Sequence, residues 1–173
     1  DFARKRIPVD AHALRLFGDG PGEPTGLGRI AKDLADQLVH SDLPLDLIQV
    51  GGTVPPVWPL WRHVPLERQE DWGAKNVEAI YRSIWDKQPG ILFAVWDPSR
   101  LYSYLGVDLP VQRWAYCAID GSNTNGVIGG PAGEALRMFD RVLAYGRYGA
   151  EVIKATTGQE CAYLPHGILS DVW

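Results

Sequence analysis

From Gly18 to Gly28 the chain reads Gly-Asp-Gly-Pro-Gly-Glu-Pro-Thr-Gly-Leu-Gly, directly after the short run Ala13-Leu14-Arg15-Leu16-Phe17. A strand that breaks into such a loop and then opens a helix turns backbone N–H groups and a helix N-terminus toward one point. That geometry suits a phosphate, a carboxylate or a sugar hydroxyl. The same residues also fit a tight strand-to-helix turn that holds nothing, and their spacing is neither a dinucleotide fingerprint nor a Walker loop. Further polar groups follow other apolar runs: Asp97-Pro98-Ser99-Arg100, Asp120-Gly121-Ser122 and Tyr145-Gly146-Arg147. They offer carboxylates, a hydroxyl and a guanidinium. His12, His40 and His63 are isolated, and Cys117 and Cys161 belong to no Cys-x-x-Cys or Cys/His spacing, so no metal is predicted.

The elements that must carry these residues alternate. A strand over 14–17 precedes the loop. Leu27, Ile30, Ala31, Leu34, Ala35 and Leu38 then recur at three- and four-residue steps, predicting a helix to about residue 40. A second strand spans 45–50 and stops at Gly51-Gly52, and the proline- and tryptophan-rich residues 53–65 are predicted to be an irregular surface loop. Asp71 is placed to cap a helix striped by Val77, Ile80, Tyr81, Ile84 and Trp85, which ends at 87–90. Strands over 91–96 and 112–119 follow, then a short helix over 131–138 with Pro131 in its first turn. A strand over 141–145, a helix over 148–155 and a last strand over 162–164 complete the order. Strands with buried rather than alternating patterns, separated by helices, imply parallel pairing. The expected fold is α/β, a Rossmann-like three-layer sandwich with a mostly parallel sheet, in which ligands collect beyond the carboxyl ends of the strands.

The 173 residues suit a single domain over 1–173. With 46% hydrophobic and 22% charged residues the composition is that of a globular protein, and no apolar segment reaches the roughly 18 residues of a membrane span. A net charge of -4 argues against binding nucleic acid through phosphate neutralisation, and Arg4-Lys5-Arg6 reads as a solvated basic patch. Two cysteines expected as buried thiols favour a cytoplasmic setting.

The passage Phe139-Asp140-Arg141-Val142-Leu143-Ala144-Tyr145-Gly146-Arg147-Tyr148-Gly149-Ala150-Glu151, followed by Tyr163-Leu164-Pro165-His166-Gly167-Ile168, carries a resemblance. It is similar to the stretch of GT4-like glycosyltransferases in which aspartate and arginine precede an apolar strand, a serine-rich turn, a helix and a Pro-His/Asn-Gly-Val segment. Asp97-Pro98 and Asp120-Gly121 fall where that family places polar residues at strand ends, and the motif order holds over nearly the whole chain. The resemblance implies the amino-terminal, acceptor-side half of a GT-B architecture, with residues 165–173 starting the interdomain linker. It implies a retaining transfer from a nucleotide-diphosphate sugar, without another cofactor, and an active site completed by a second domain or a separate chain.

By that resemblance Gly26, Leu27, Gly28, His166 and Gly167 would meet the donor's phosphates or sugar. Asp120 would be catalytic, standing where relatives carry a histidine or an acid. Asp97, Ser122, Arg147, Trp58 and Trp61 would meet an acceptor that is a sugar, a lipid or a protein. Each role has a plainer counterpart: turn-capping for Asp97 and Asp120, a solvated helix end for Arg147, a hinge for His166, and core packing for the tryptophans. The glycine-rich stretch 121–130 is loose enough to order around an acceptor. Peripheral membrane contact and self-association stay open. A second reading is a non-catalytic Rossmann-like module that binds a nucleotide or a protein. A dehydrogenase is the poorest fit, because no acidic residue ends the second strand to hold a ribose.

Overall fold

The computed structural model describes residues 14–20, 22–40, 45–49, 61–65, 71–86 and 88–167. Among the described residues seven strands form one sheet: β1 (Leu14–Gly18), β2 (Leu45–Gln49), β3 (Arg62–Val64), β4 (Gly90–Val95), β5 (Val111–Cys117), β6 (Arg141–Ala144) and β7 (Ala162–Tyr163). Their spatial order is β3-β2-β1-β4-β5-β6-β7, and every pairing is parallel. The helices are α1 (Gly26–Val39), α2 (Ala74–Trp85), α3 (Pro98–Leu101), α4 (Gly130–Met138) and α5 (Arg147–Thr157). A 3-10 turn at Tyr102–Tyr104 continues α3.

Strand residues alternate between two cores, so both faces of the sheet are covered. Leu92, Ala94 and Trp96 of the β4 segment, with Ala115 and Cys117 of β5, pack under Val77, Tyr81 and Trp85 of α2 and Leu136 of α4. Phe93, Val95 and Tyr116 face the other way, with Leu16, against Ala31 and Ala35 of α1. This double burial is the physical source of the near-continuous apolar strands, and it makes the expected Rossmann-like three-layer arrangement the observed one. Arg15 is the exception within β1. It is fully buried, with its guanidinium 4.8 Å from the ring centres of both Tyr81 and Trp85.

Asp71 acts as expected at the start of α2. Its carboxylate accepts from the Gly73 N–H at 3.0 Å and the Lys75 N–H at 3.2 Å. One expectation needs correction. Irregular structure through residue 65 gives way at Arg62–Val64, which adds to the sheet beside β2. Three residues are too few for a periodicity to show, and the open edge of β2 supplies the partners. After β4 the short helix α3 has Pro98 in its first turn.

The chain runs outward from β1 to β2 and β3 in one direction, then from β4 to β7 in the other. The reversal lies between β1 and β4, where Gly18 stands beside Val95. Both strands end there, and a parallel sheet of this kind opens a crevice at that point.

Candidate functional site

Asp19, the first residue after β1, occupies that crevice and is 3% exposed. One carboxylate oxygen accepts from Trp96 Nε1 at 3.1 Å and Arg100 Nη1 at 2.9 Å, and the other from Thr25 Oγ1 at 3.1 Å. Thr25 is also the N-cap of α1, its hydroxyl accepting from the Gly28 N–H at 2.9 Å. The buried carboxylate thus ties the glycine-rich loop to the turn after β4. Arg100 is held from beneath as well, 4.4 Å over the Trp72 ring. Trp72 takes a left-handed backbone, φ 55°, and its carbonyl accepts from the Tyr104 hydroxyl at 2.6 Å. A non-glycine residue keeps that conformation only where its surroundings determine it.

The cap decides what the loop can offer. The Gly28 N–H is consumed by Thr25, whereas among the described residues the N–H groups of Gly26 and Leu27 meet no acceptor. Gly26 has open space around it. At Gly28 a Cβ would lie 2.7 Å from the Gly20 carbonyl oxygen and 2.8 Å from that of Glu23. Glycine at 28 therefore serves the closure of the loop on itself, which revises its expected part as a point of close ligand approach. The first turn of α1 presents two donors, not three.

Asp97 and Asp120 end neighbouring strands and line one open depression of about 240 Å³, together with Pro98, Ser99, Ile119 and Ile128. Neither carboxylate caps its own turn. Asp97 is the N-cap residue of α3 without a side-chain cap bond, and its contact is a 3.9 Å ion pair with Arg100 Nε. Partial burial raises the Asp97 pKa above its ordinary value, Arg100 opposes this, and the Asp120 and Asp19 charges add to it. Asp120 is exposed and makes no hydrogen bond among the described residues. Two carboxylates facing one depression suit the recognition of hydroxyl groups, and a free carboxylate can also take a proton.

His166 sits on the α1 side of the same edge. Its Nδ1 is 3.1 Å from the Tyr116 hydroxyl, and its ring centre is 4.1 Å from that of Tyr145. Burial against these rings lowers its pKa below the usual histidine value, opposed by Asp33 of α1. Gly167 follows, exposed and with open space around it. Tyr145 joins the two parts of the edge, since its phenol is held protonated by burial and feels the charges of Asp97 and Asp19. Arg147 opens α5 and donates through Nε to the Tyr163 hydroxyl at 3.1 Å, and Ser122 Oγ is 3.2 Å from the Tyr148 hydroxyl. Both are exposed.

The tryptophans divide. Trp61 is 8% exposed and packs with Leu16, Phe93 and Tyr116, which gives it to the core and leaves no open face for a sugar. Trp58 lies outside the described residues. Asp19, Arg100 and Tyr145 lie within stretches singled out in the sequence but carry no assigned role there, and Tyr116 reads only as part of a strand. The available signal was an aspartate directly after one strand and an arginine just after another. Asp140, part of the motif quoted above, is structural: its carboxylate accepts from the Arg113 N–H and its own N–H donates to the Arg113 carbonyl, both at 2.8 Å. Cys117 and Cys161 are free thiols. No helix among the described residues is long and apolar enough to cross a membrane.

No protein-family model matches the chain, and no curated protein matches it. Among solved structures it is similar to an α-glucosyltransferase in complex with UDP and a 13-mer DNA containing a central A:G mismatch. The two share 10% sequence identity at a TM-score of 0.51, over 87% of this chain and 40% of that one. At that identity the likeness shows the fold alone, a Rossmann-like parallel α/β sheet. The chain spans well under half of the transferase it resembles.

Proposed function

We propose that this chain is the acceptor-side, amino-terminal half of a retaining glycosyltransferase of the GT4-like kind, using a nucleotide-diphosphate sugar. What supports the reading is that two unlike surfaces follow the carboxyl ends of the adjoining strands β1, β4 and β5. The first turn of α1 offers uncommitted N–H donors to a diphosphate or sugar, and Asp97 and Asp120 offer acceptors to hydroxyl groups. Asp120 is the residue that would orient an acceptor hydroxyl and receive its proton. The fold likeness to part of a UDP-bound glucosyltransferase supports this division.

The acceptor in this reading is a sugar or a sugar-bearing lipid or protein. A net charge of -4, with two carboxylates on the depression, opposes the phosphate backbone of a nucleic acid. The donor's nucleotide would be held mainly by a second domain or chain. The test is a transfer assay with a panel of nucleotide sugars, run on this chain alone and on a longer protein supplying a second α/β domain. Turnover only in the longer form, and its loss in Asp120→Asn, is expected. Full turnover by the 173-residue chain would overturn the half-enzyme reading.

A further inference from the structure

The protonation pattern of His166 follows from its neighbours. Burial holds Tyr116 as a phenol, with its pKa above the ordinary value. Its hydroxyl donates to the Leu164 carbonyl, which has no proton to return. A phenol has one proton, so the 3.1 Å contact with His166 must run the other way, with Nδ1–H donating to the Tyr116 oxygen. The groups facing the ring are Tyr116 from β5, Tyr145 from the end of β6 and Asp33 from α1. The first two keep the imidazole neutral at neutral pH, against the pull of Asp33. A neutral ring with its proton on Nδ1 carries a bare lone pair on Nε2.

We propose that His166 Nε2 is a fixed hydrogen-bond acceptor for a hydroxyl of a polyol ligand at the carboxyl edge of the sheet, with Tyr116 as its positioning residue. This narrows the expectation that His166 meets the donor's phosphates or sugar to the sugar alone. The diphosphate oxygens of a nucleotide sugar carry no proton at neutral pH, so a lone pair on Nε2 repels them, whereas a sugar hydroxyl brings the missing proton. The identity of the polyol rests on the sugar-transfer reading above. The state of the ring does not.

The experiment is a two-bond 1H–15N spectrum of the histidine-labelled full chain at neutral pH. Expected are a protonated Nδ1 and a bare Nε2 for His166, and reversion in Tyr116→Phe to the Nε2–H form that free histidine prefers in water. A protonated Nε2 in the unaltered protein overturns the proposal. Methyl α-glucoside and sulfate, an oxyanion without a proton at neutral pH, are then titrated separately into the unaltered chain, which keeps the test independent of whether the variant folds. A shift of the Nε2 signal with the glucoside alone supports the proposal. A shift with sulfate alone, or with neither, overturns it. If these results hold while no nucleotide sugar is turned over by the longer protein, the transfer reading fails and this inference stands.

Discussion

Asp19 and Asp120 occupy equivalent places, just beyond the carboxyl ends of two parallel strands, yet their surroundings differ completely. Asp19 is buried and shares its two oxygens among Trp96, Arg100 and Thr25. Asp120 is exposed on the rim of a depression and bonds to nothing among the described residues. One acid has its acceptor capacity used in construction, and the other keeps it for a ligand. A buried carboxylate persists only when paired and hydrogen-bonded, so its partners are part of the fold. An acid left unpaired at a cleft costs the fold little and is free to act. Asp97 stands between them, half-buried and on a long ion pair.

The sharpest way to break this comparison is to remove the buried acid. Asp19→Ala removes the acceptor shared by Arg100, Trp96 and Thr25, and should lower stability by about 3 kcal/mol. Chemical denaturation checks the loss, and raised hydrogen exchange at Gly28, whose N–H is bonded to Thr25, should report the loosened loop. A loss under about 1 kcal/mol would show that the knot is incidental. Gly28→Ala comes next, because its methyl group would press on the Gly20 and Glu23 carbonyls. A destabilisation of about 2 kcal/mol is expected, read from the same denaturation curves. Asp120→Asn should move stability by less than about 0.5 kcal/mol while cutting transfer in the longer protein by about 100-fold or more. Equal losses of stability in Asp19→Ala and Asp120→Asn would erase the contrast.

Asp97 sharpens it through pH. Its folded-state pKa is raised above 3.8, chiefly by burial, so folding favours the protonated form. The stability this carboxyl contributes is fully present below the unfolded value and is lost as pH rises through the folded one. Asp97→Asn stays neutral throughout. Its stability relative to the unaltered chain should therefore rise across that window and level off above it, as measured by denaturant midpoints over a pH series. A flat difference would mean that Asp97 is solvated like a free side chain.

Much of the layout was legible because it rests on local patterning. Leu27, Ile30, Ala31, Leu34 and Ala35 mark α1 by spacing alone, and Thr25 caps it where the glycine-rich loop ends. The buried runs of β4 and β5 announce a sheet covered on both faces. Loss of pattern accounts for the misses. β3 is three residues long, and Trp61 beside it reads equally well as a stacking platform or as core until Leu16 and Tyr116 close over it. Asp19 is one polar residue in a loop full of turn formers, and nothing nearby in the chain names its partners.

Periodicity, the strand-to-helix order and the glycine-rich turn thus determined a parallel α/β sheet with its polar residues gathered at one edge. Those signals act over a few residues, within reach of a helix turn or a strand's pleat. Which acid is buried and which is open, that Gly28 closes the loop on itself, and that Tyr116 sets the proton on His166 were decided only by the tertiary structure. Each depends on groups brought together from distant parts of the chain, such as Asp19 with Arg100 and Tyr116 with His166. Burial and hydrogen-bond direction are properties of such meetings, and no single stretch of sequence contains them.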